Sequence, residues 1–381
     1  RAASWTTSPS RCSRAPGRDV TPAGEGWRRA TSPADEADRG SHGGEGDDGG
    51  DRHGRPGRLR RWALRLEAAL DRVRPPRRGT PVIDPYTGYA TPQTLVLRGR
   101  CLTALRRTRP DPAQSRWTNL RQMASLFLTA EVAGVPVEAV GVRTRTDEEG
   151  YFTLAVPRRD VGPGWHHVPV RVAGHPETEV AVAVLVAAPT APGLVISDID
   201  DTILETGAYS LARNLWTSLT GNALTRRVFP DTAALLRRLA QAGAPVFYVS
   251  SSPWNLHHFL NTVFAANDVP KGPMFLRDLG LNPQPSGHQG HKAAAIEAVL
   301  AAYPDLPAVL IGDTGQADPA IYAAAAARRP GRVAAVYLRE PRAEASSALA
   351  EPVAALRRQG VAVTVGASFD PAAPLPLLGV T

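Results

Sequence analysis

Three carboxylates stand within four positions at Asp198, Asp200 and Asp201, directly after three apolar residues and Ser197 in the stretch "LVISDIDDTI". Close carboxylates repel and raise one another's pKa unless a cation or proton intervenes. Similar polar groups follow other apolar runs downstream. Ser250-Ser251-Ser252 follows the run 246–249, Gly312-Asp313 follows 308–311, and Asp318 comes five residues later in "GDTGQAD". Lys292 stands before that last run. The chemistry that suits this set is phosphoryl transfer through an aspartyl-phosphate. Asp198, first off its strand, is the expected nucleophile. Asp200, two residues on, is the expected general acid and then base. A magnesium ion (Mg²⁺) takes hard oxygen ligands, here expected from Asp198, a backbone carbonyl at Asp200, and Asp313. Ser250 and nearby amides would hold phosphate oxygens, and Lys292 would offset charge on phosphate and Asp198. Thr202, Ser251, Asp318 and Lys271 are further candidates. Asp201 reads as a solvated turn residue. Asp318 reads equally as a helix N-terminal charge before Pro319 or as a site carboxylate. Among the histidines, His291 beside Lys292 has the strongest claim.

These groups need elements that bring them together. From residue 193 the pattern alternates strand and helix. Strands are expected at 194–197, 246–250, 274–276, 308–311 and 332–338, and helices at 232–242, 255–266, 292–302 and 319–328. A final helix at 344–358 and the strand "VAVTVG" would close the edge. Such alternation implies a parallel sheet covered on both faces, whose strand carboxyl ends are where ligands bind. The expected fold is therefore α/β, with a Rossmann-like domain over 191–381.

Residues 80–190 read instead as short, β-branched, alternating strands: "TLVLRGRCL", "VEAVGVRTRTD", "GYFTLAVP", "HHVPVRVAG" and "VAVAVLVAA", with a turn at "DEEGYF". A small β-sandwich is expected there, with a helix in the insert at 112–132. Residues 1–55, rich in Gly, Ser, Pro and charge, are expected to be disordered. Residues 56–79 are read as a basic amphipathic helix and linker. Leu59, Trp62, Leu66, Leu70 and Val73 recur at helical spacing among arginines, a pattern suited to packing on the following domain or to lying on an anionic membrane.

Composition sets the bounds. The 381 residues carry 44 basic and 36 acidic groups, a formal net charge of +8, much of it before residue 80. That modest excess argues against a dedicated nucleic-acid binder. Two cysteines cannot build a zinc site, and no apolar run reaches the roughly 18 residues of a membrane span. A cytoplasmic protein is the expectation, with peripheral membrane contact through 58–74 as the alternative to that helix docking on the following domain. Only Lys271 and Lys292 among the basic residues are lysines. That bias toward arginine suggests a GC-rich bacterial genome and makes the two lysines informative.

The four motifs resemble those of the haloacid-dehalogenase superfamily of phosphohydrolases, and the Asp198/Asp200 pair resembles its phosphatases. A closer resemblance is to the actin-patch-protein-type phosphatidate phosphatase family. It is carried by "SDIDDTI", "YVSSSPWNL", "GPMFLRDLG", "HKAAAIEAVLAAYP" and "LIGDTGQADPAIY", with "PYTGYATP" and "LRGR" upstream, across roughly residues 80–340. The resemblance implies Mg²⁺-dependent hydrolysis of phosphatidate to diacylglycerol and phosphate. Two rivals stand beside it. One is a phosphatase of another phosphomonoester, such as a soluble metabolite, a nucleic-acid end or a phosphoprotein. The other is a binding module that has lost turnover, against which the intact Asp198, Asp200, Ser250, Lys292 and Asp313 set argues.

Overall fold

A computed structural model of the chain describes residues 80–104, 131–205, 227–277, 287–340 and 347–373. The expected disorder of 1–55, the helix at 56–79 and nearly all of the insert at 112–132 lie outside the described residues. All described residues belong to one compact unit, Arg74–Thr381. It holds two sheets, one of them entirely parallel. Among the described residues no helix is long and apolar enough to cross a membrane.

The first sheet contains β1 (Val82–Ala90), β2 (Thr94–Leu102), β3 (Pro136–Ala139), β4 (Val142–Arg145), β5 (Tyr151–Pro157), β6 (Gly164–Val172) and β7 (His175–Val186), in the order β4-β3-β6-β7-β1-β2-β5. Period-two alternation builds it: Phe152, Leu154 and Val156 of β5 are buried while Thr153 and Ala155 are exposed. The edge strands β4 and β5 are consecutive in the chain, joined by a turn in which Asp147 Oδ1 accepts from the Glu149 and Tyr151 amides. That turn draws the two edges together, so the expected sandwich takes the form of one curled, nearly closed sheet around Ile83, Leu97, Val170 and Val184.

Two expectations are corrected here. The run 137–147 is not a single strand. It folds back at Val140 and Gly141, both with left-handed φ (49° and 80°), into the hairpin of β3 and β4, the geometry that two-residue hairpin turns require. Residues 82–90, not read as a strand, form β1. Pro85 and Gly88 obscure the alternation, but its pairing with β2 and β7 supplies the order.

The second sheet is all parallel: β8 (Leu194–Asp198), β9 (Val246–Pro253), β10 (Met274–Arg277), β11 (Ala308–Asp313), β12 (Val333–Arg339) and β13 (Ala362–Gly366), in the order β10-β9-β8-β11-β12-β13. Among the described residues five helices accompany it: α1 (Pro230–Gln241), α2 (His257–Ala266), α3 (Gly287–Ala302), α4 (Asp318–Arg328) and α5 (Ser347–Arg358). Both faces of β8 are buried, as its unbroken apolar run demands. Val195 packs with Leu236 of α1 and Val263 of α2. Leu194 and Ile196 pack with Val299 of α3 and Leu356 of α5 on the other side. Each such buried side chain contributes about 1.5–3 kcal/mol. The strand order reverses between β8 and β11, the crevice where an open α/β sheet binds ligands.

The two sheets are joined through aromatic and guanidinium contacts. Tyr86 of β1 stacks on Trp254 with ring centroids 4.5 Å apart. Arg98 of β2 donates to the Thr87 and Met274 carbonyls at 3.1 and 2.9 Å. Its guanidinium lies 4.4 Å from the Phe275 ring centre.

Candidate active site

Register places the carboxylates. β8 and β11 pair Ile196 with Leu310 and Ser197 with Ile311, so Asp198 and Asp313 leave neighbouring strands at almost the same level. Asp318 opens α4 directly beyond. One oxygen from each of Asp198, Asp313 and Asp318 lies within 4.8 Å of the others, and all three residues are buried. Lys292 Nζ, on α3, reaches Asp198 Oδ1 at 2.8 Å and Asp318 Oδ1 at 2.7 Å. Three carboxylates against one ammonium leave two negative charges uncompensated in a buried site. Asp313 Oδ1 accepts from the Gly315 amide at 2.6 Å, while its Oδ2 is buried without a hydrogen-bond partner among the described residues. A hard divalent cation with oxygen ligands fits both the charge and the orphaned oxygen.

The electrostatics agree. Burial pushes Asp198 well above the usual carboxylate range; Lys292 opposes this, and Asp318, Asp313 and Asp200 add to it. Burial, with Asp318 beside it, pushes Asp313 up to about 7. Burial alone would lower Lys292, but Asp198 and Asp318 outweigh it and hold the ammonium charged. Perturbations of this kind concentrate at functional sites.

The loop after Asp198 is tightly held. Thr202, fully buried, donates to Asp198 Oδ2 at 3.2 Å. Asp201 turns the chain with φ 56° and is 4 % exposed. The expectation of a solvated turn residue is therefore corrected: the tight return that pairs the Asp201 amide with the Leu204 carbonyl draws it inward. The side chain of Asp200 stands apart from the three clustered carboxylates. Its Oδ2 accepts from the Ser250 and Ser252 hydroxyls at 2.7 and 2.9 Å. Ser250 Oγ also accepts from the Ser252 amide. Ser250 thus grips Asp200 here, rather than standing free for a phosphate oxygen. Ser252, not singled out in the sequence, shares this role, and its spacing of two from Ser250 on a strand was the available signal. Ser251, between them, is half-buried.

Asp318 is the first residue of α4, and its Oδ1 accepts from Lys292 Nζ at 2.7 Å. Gly312 allows this: a Cβ there would sit 2.6 Å from Asp318 Oδ2 and from the Tyr322 hydroxyl. Lys271 is not brought to the cluster. It precedes β10, at the sheet edge opposite the strand ends that carry Asp198 and Asp313, and its ammonium lies 4.6 Å from the Trp165 ring centre. His291 Nε2 faces the Phe275 carbonyl at 3.4 Å.

Behind the loop, the Thr232 hydroxyl of α1 donates to the Thr202 carbonyl at 2.9 Å. Thr232 itself receives a bond from Arg339 Nη2 at 2.7 Å. Arg339 is buried at the end of β12 and also pairs with Asp231. The sequence offered no sign of this second tier, since its members belong to three separate elements.

Comparison with known proteins centres on this half of the chain. Residues 193–340 match the family model described as phosphatidate phosphatase APP1, catalytic domain. The phosphatidate phosphatase APP1 of Saccharomyces cerevisiae is 30% identical over 149 residues, which is 38% of this chain and 25% of that protein. An uncharacterized protein of Schizosaccharomyces pombe is 28% identical over 149 residues, with the same shares. The chain thus spans about a quarter of the length of these curated relatives. Asp198, Asp200, Ser250, Lys292, Asp313 and Asp318 all fall inside the matched segment.

Proposed function

We propose that this chain is a Mg²⁺-dependent phosphatase of haloacid-dehalogenase type, built on a Rossmann-like sheet, that hydrolyses phosphatidate to diacylglycerol and phosphate through an aspartyl-phosphate. One observation carries the reading: three buried carboxylates and one lysine converge at the sheet's switch point, inside the segment that matches a phosphatidate phosphatase catalytic domain.

Asp198 attacks phosphorus through a carboxylate oxygen, and the phosphorus–oxygen bond to the diacylglycerol breaks. Asp200 gives its proton to the departing alkoxide. It then takes a proton from the water that cleaves the acyl phosphate, freeing Asp198 and inorganic phosphate. The Ser250 and Ser252 hydroxyls hold Asp200 at the mouth of the site through both steps. Lys292 carries positive charge against Asp198 and the incoming phosphate. Asp198, Asp313 and Asp318 would hold Mg²⁺, with the Asp200 carbonyl as a further ligand; when bound, the ion neutralises buried carboxylates and phosphate and keeps Asp198 ionised. The same reading assigns residues 58–74 to an anionic membrane surface on the cytoplasmic side, where about 1 kcal/mol per basic residue is available.

The test is phosphate release from phosphatidate vesicles and from soluble phosphomonoesters, each with Mg²⁺ or with EDTA. Mg²⁺-dependent release from the vesicles is expected. Release from soluble esters alone would overturn the substrate, and no release from either would overturn the reaction.

A further inference from the structure

The serines that hold Asp200 stand where the parallel sheet does not fix them. β9 pairs with β8 only as far as Val249, opposite Asp198. On its other side β9 pairs with β10 at Val249–Phe275 and next at Pro253–Arg277. Ser250, Ser251 and Ser252 therefore stand opposite Leu276 alone. Extra residues in one strand leave the ladder, bend the strand and re-aim its side chains. Here the result is that the Ser250 and Ser252 hydroxyls both meet Asp200 Oδ2. A stretch outside the ladder keeps one such shape only if contacts at its ends offset the entropy of holding it. Val249, paired on both sides, supplies the near end.

The curled sheet supplies the far end. Trp254 follows Pro253 directly and opens the turn that leads into α2. Its ring stacks on Tyr86, with centroids 4.5 Å apart and planes inclined by 8°. Arg98 lies 5.3 Å from the centre of the same ring. Tyr86 and Arg98 are direct cross-strand partners on β1 and β2, so both side chains leave one face of the curled sheet and meet Trp254 together. Arg98 also donates to the Met274 carbonyl and covers the Phe275 ring. One guanidinium thus ties Trp254 to β10, the strand on the other side of the irregular stretch. Asp84, the next residue of β1 on the same side, pairs with His258 Nε2 at 2.5 Å and secures the start of α2.

We infer that Tyr86 and Arg98 are positioning residues for the proposed proton transfer: by gripping Trp254 they hold the serine stretch in the shape that presents two hydroxyls to Asp200. The inference rests on Asp200 as the proton donor of the proposed reaction. It makes the curled sheet a determinant of rate as well as of stability.

The experiment has two arms, both on the full chain at a temperature where every variant is folded. Amide hydrogen exchange in EDTA reads the hold without catalysis. The Ser252 amide donates to Ser250 Oγ, so its exchange reports local opening of this stretch. It should quicken roughly tenfold or more in Tyr86→Leu, with a much smaller change at Ile196 and Leu310 in the sheet centre, and stay parental in Tyr86→Phe, which keeps the ring. The second arm is phosphate release from phosphatidate vesicles with Mg²⁺. Tyr86→Leu and Trp254→Leu should each lower kcat roughly tenfold or more with KM unchanged, and Tyr86→Phe should keep the parental rate. The double leucine variant should be no slower than the slower single one, because both act through one contact. The inference is overturned by unchanged Ser252 exchange in Tyr86→Leu, by exchange that quickens equally at the sheet centre, by parental kcat in both leucine variants, or by Tyr86→Phe behaving as Tyr86→Leu. A parent that releases no phosphate from any ester overturns the proposed reaction instead, and the exchange arm then decides by itself whether Tyr86 holds the serines.

Discussion

Asp198 is a buried carboxylate that, in the proposed reaction, cannot attack until its charge is balanced. Burial and three neighbouring carboxylates push it toward the neutral acid, and Lys292 alone opposes them. Replacing it with asparagine removes the attacking oxygen with almost no change in shape. Asp198→Asn should lower phosphate release at least ~10³-fold, given how slow the uncatalysed reaction is, while circular dichroism remains that of the parent. Near-parental turnover would remove Asp198 from the reaction. Asp313 leads to a pH prediction. Its folded value of about 7 stands above the ordinary carboxylate value of 3.8, so the folded state binds its proton more tightly than the unfolded chain. Its contribution to stability is complete below pH 3.8 and lost as pH rises through about 7. In EDTA the melting temperature should therefore fall across that window. Added Mg²⁺ should flatten the fall, and so should Asp313→Asn. A melting temperature independent of pH there in EDTA would contradict this account of the site.

The helices and strands do more than carry these residues; they also tie them down. Arg339 at the end of β12 bonds Asp231 and Thr232 at the start of α1, and Thr232 holds the carbonyl of Thr202, whose hydroxyl holds Asp198. Arg339 is buried and Asp231 part-buried, and a hydrogen bond to a charged group is worth about 1.5–3 kcal/mol. Arg339→Met should accordingly destabilise the fold by about that amount in urea titrations, and lower kcat in whatever fraction remains folded. A loss below about 1 kcal/mol would mean that the tier is incidental. The tie on Asp200 is gentler. Ser252→Ala removes one charge-assisted hydrogen bond, worth about 1.5–3 kcal/mol. If Ser252 positions the acid, kcat should fall roughly tenfold or more with KM unchanged. A change in KM alone would assign Ser252 to substrate binding instead.

At the scale of the whole molecule, the curled sheet is part of the parallel sheet's support. Tyr86 stacks on Trp254, which directly follows the strand bearing Ser250 and Ser252. Tyr89 of β1 packs with Phe247 and Phe275 of the parallel sheet. Arg98 spans both, and burial lowers it to about 10. With so much apolar and hydrogen-bonded surface shared, the two sheets should melt as one. Calorimetry of the chain should show a single transition for this unit, and Tyr86→Ala should shift it downward as a whole, by about 3 kcal/mol on the scale of buried aromatic truncations. Two resolved transitions would show that the sheets are independent.

The local order of residues was enough to read the parallel half. Ser250 follows directly on an apolar run, and Asp198 and Asp313 follow one after a single Ser197 or Gly312; a chain that buries such a run on both faces must release its next polar residues at the strand's carboxyl end. Lys292 was legible for a different reason, as a rare lysine ahead of the next strand. The partners of these groups were not legible, because partnership depends on distances across elements. Asp318 joins the cluster only because Gly312 leaves room for its carboxylate. Asp201 turns inward only because the loop closes on Leu204. Ser250 turns to Asp200 through a bond between residues fifty apart. β1 was hidden for the same reason, its strand character resting on pairing with β2 and β7 rather than on its own alternation. Lys271 has the same residue type as Lys292, yet the parallel sheet sends one to each end, since Lys271 stands ahead of β10 whereas Lys292 lies in the first half of α3, the helix that follows the carboxyl end of β10. The residue types and their order along the chain therefore determined which chemistry is available. Register, strand order and the packing of one sheet on the other decided which of these groups stand together.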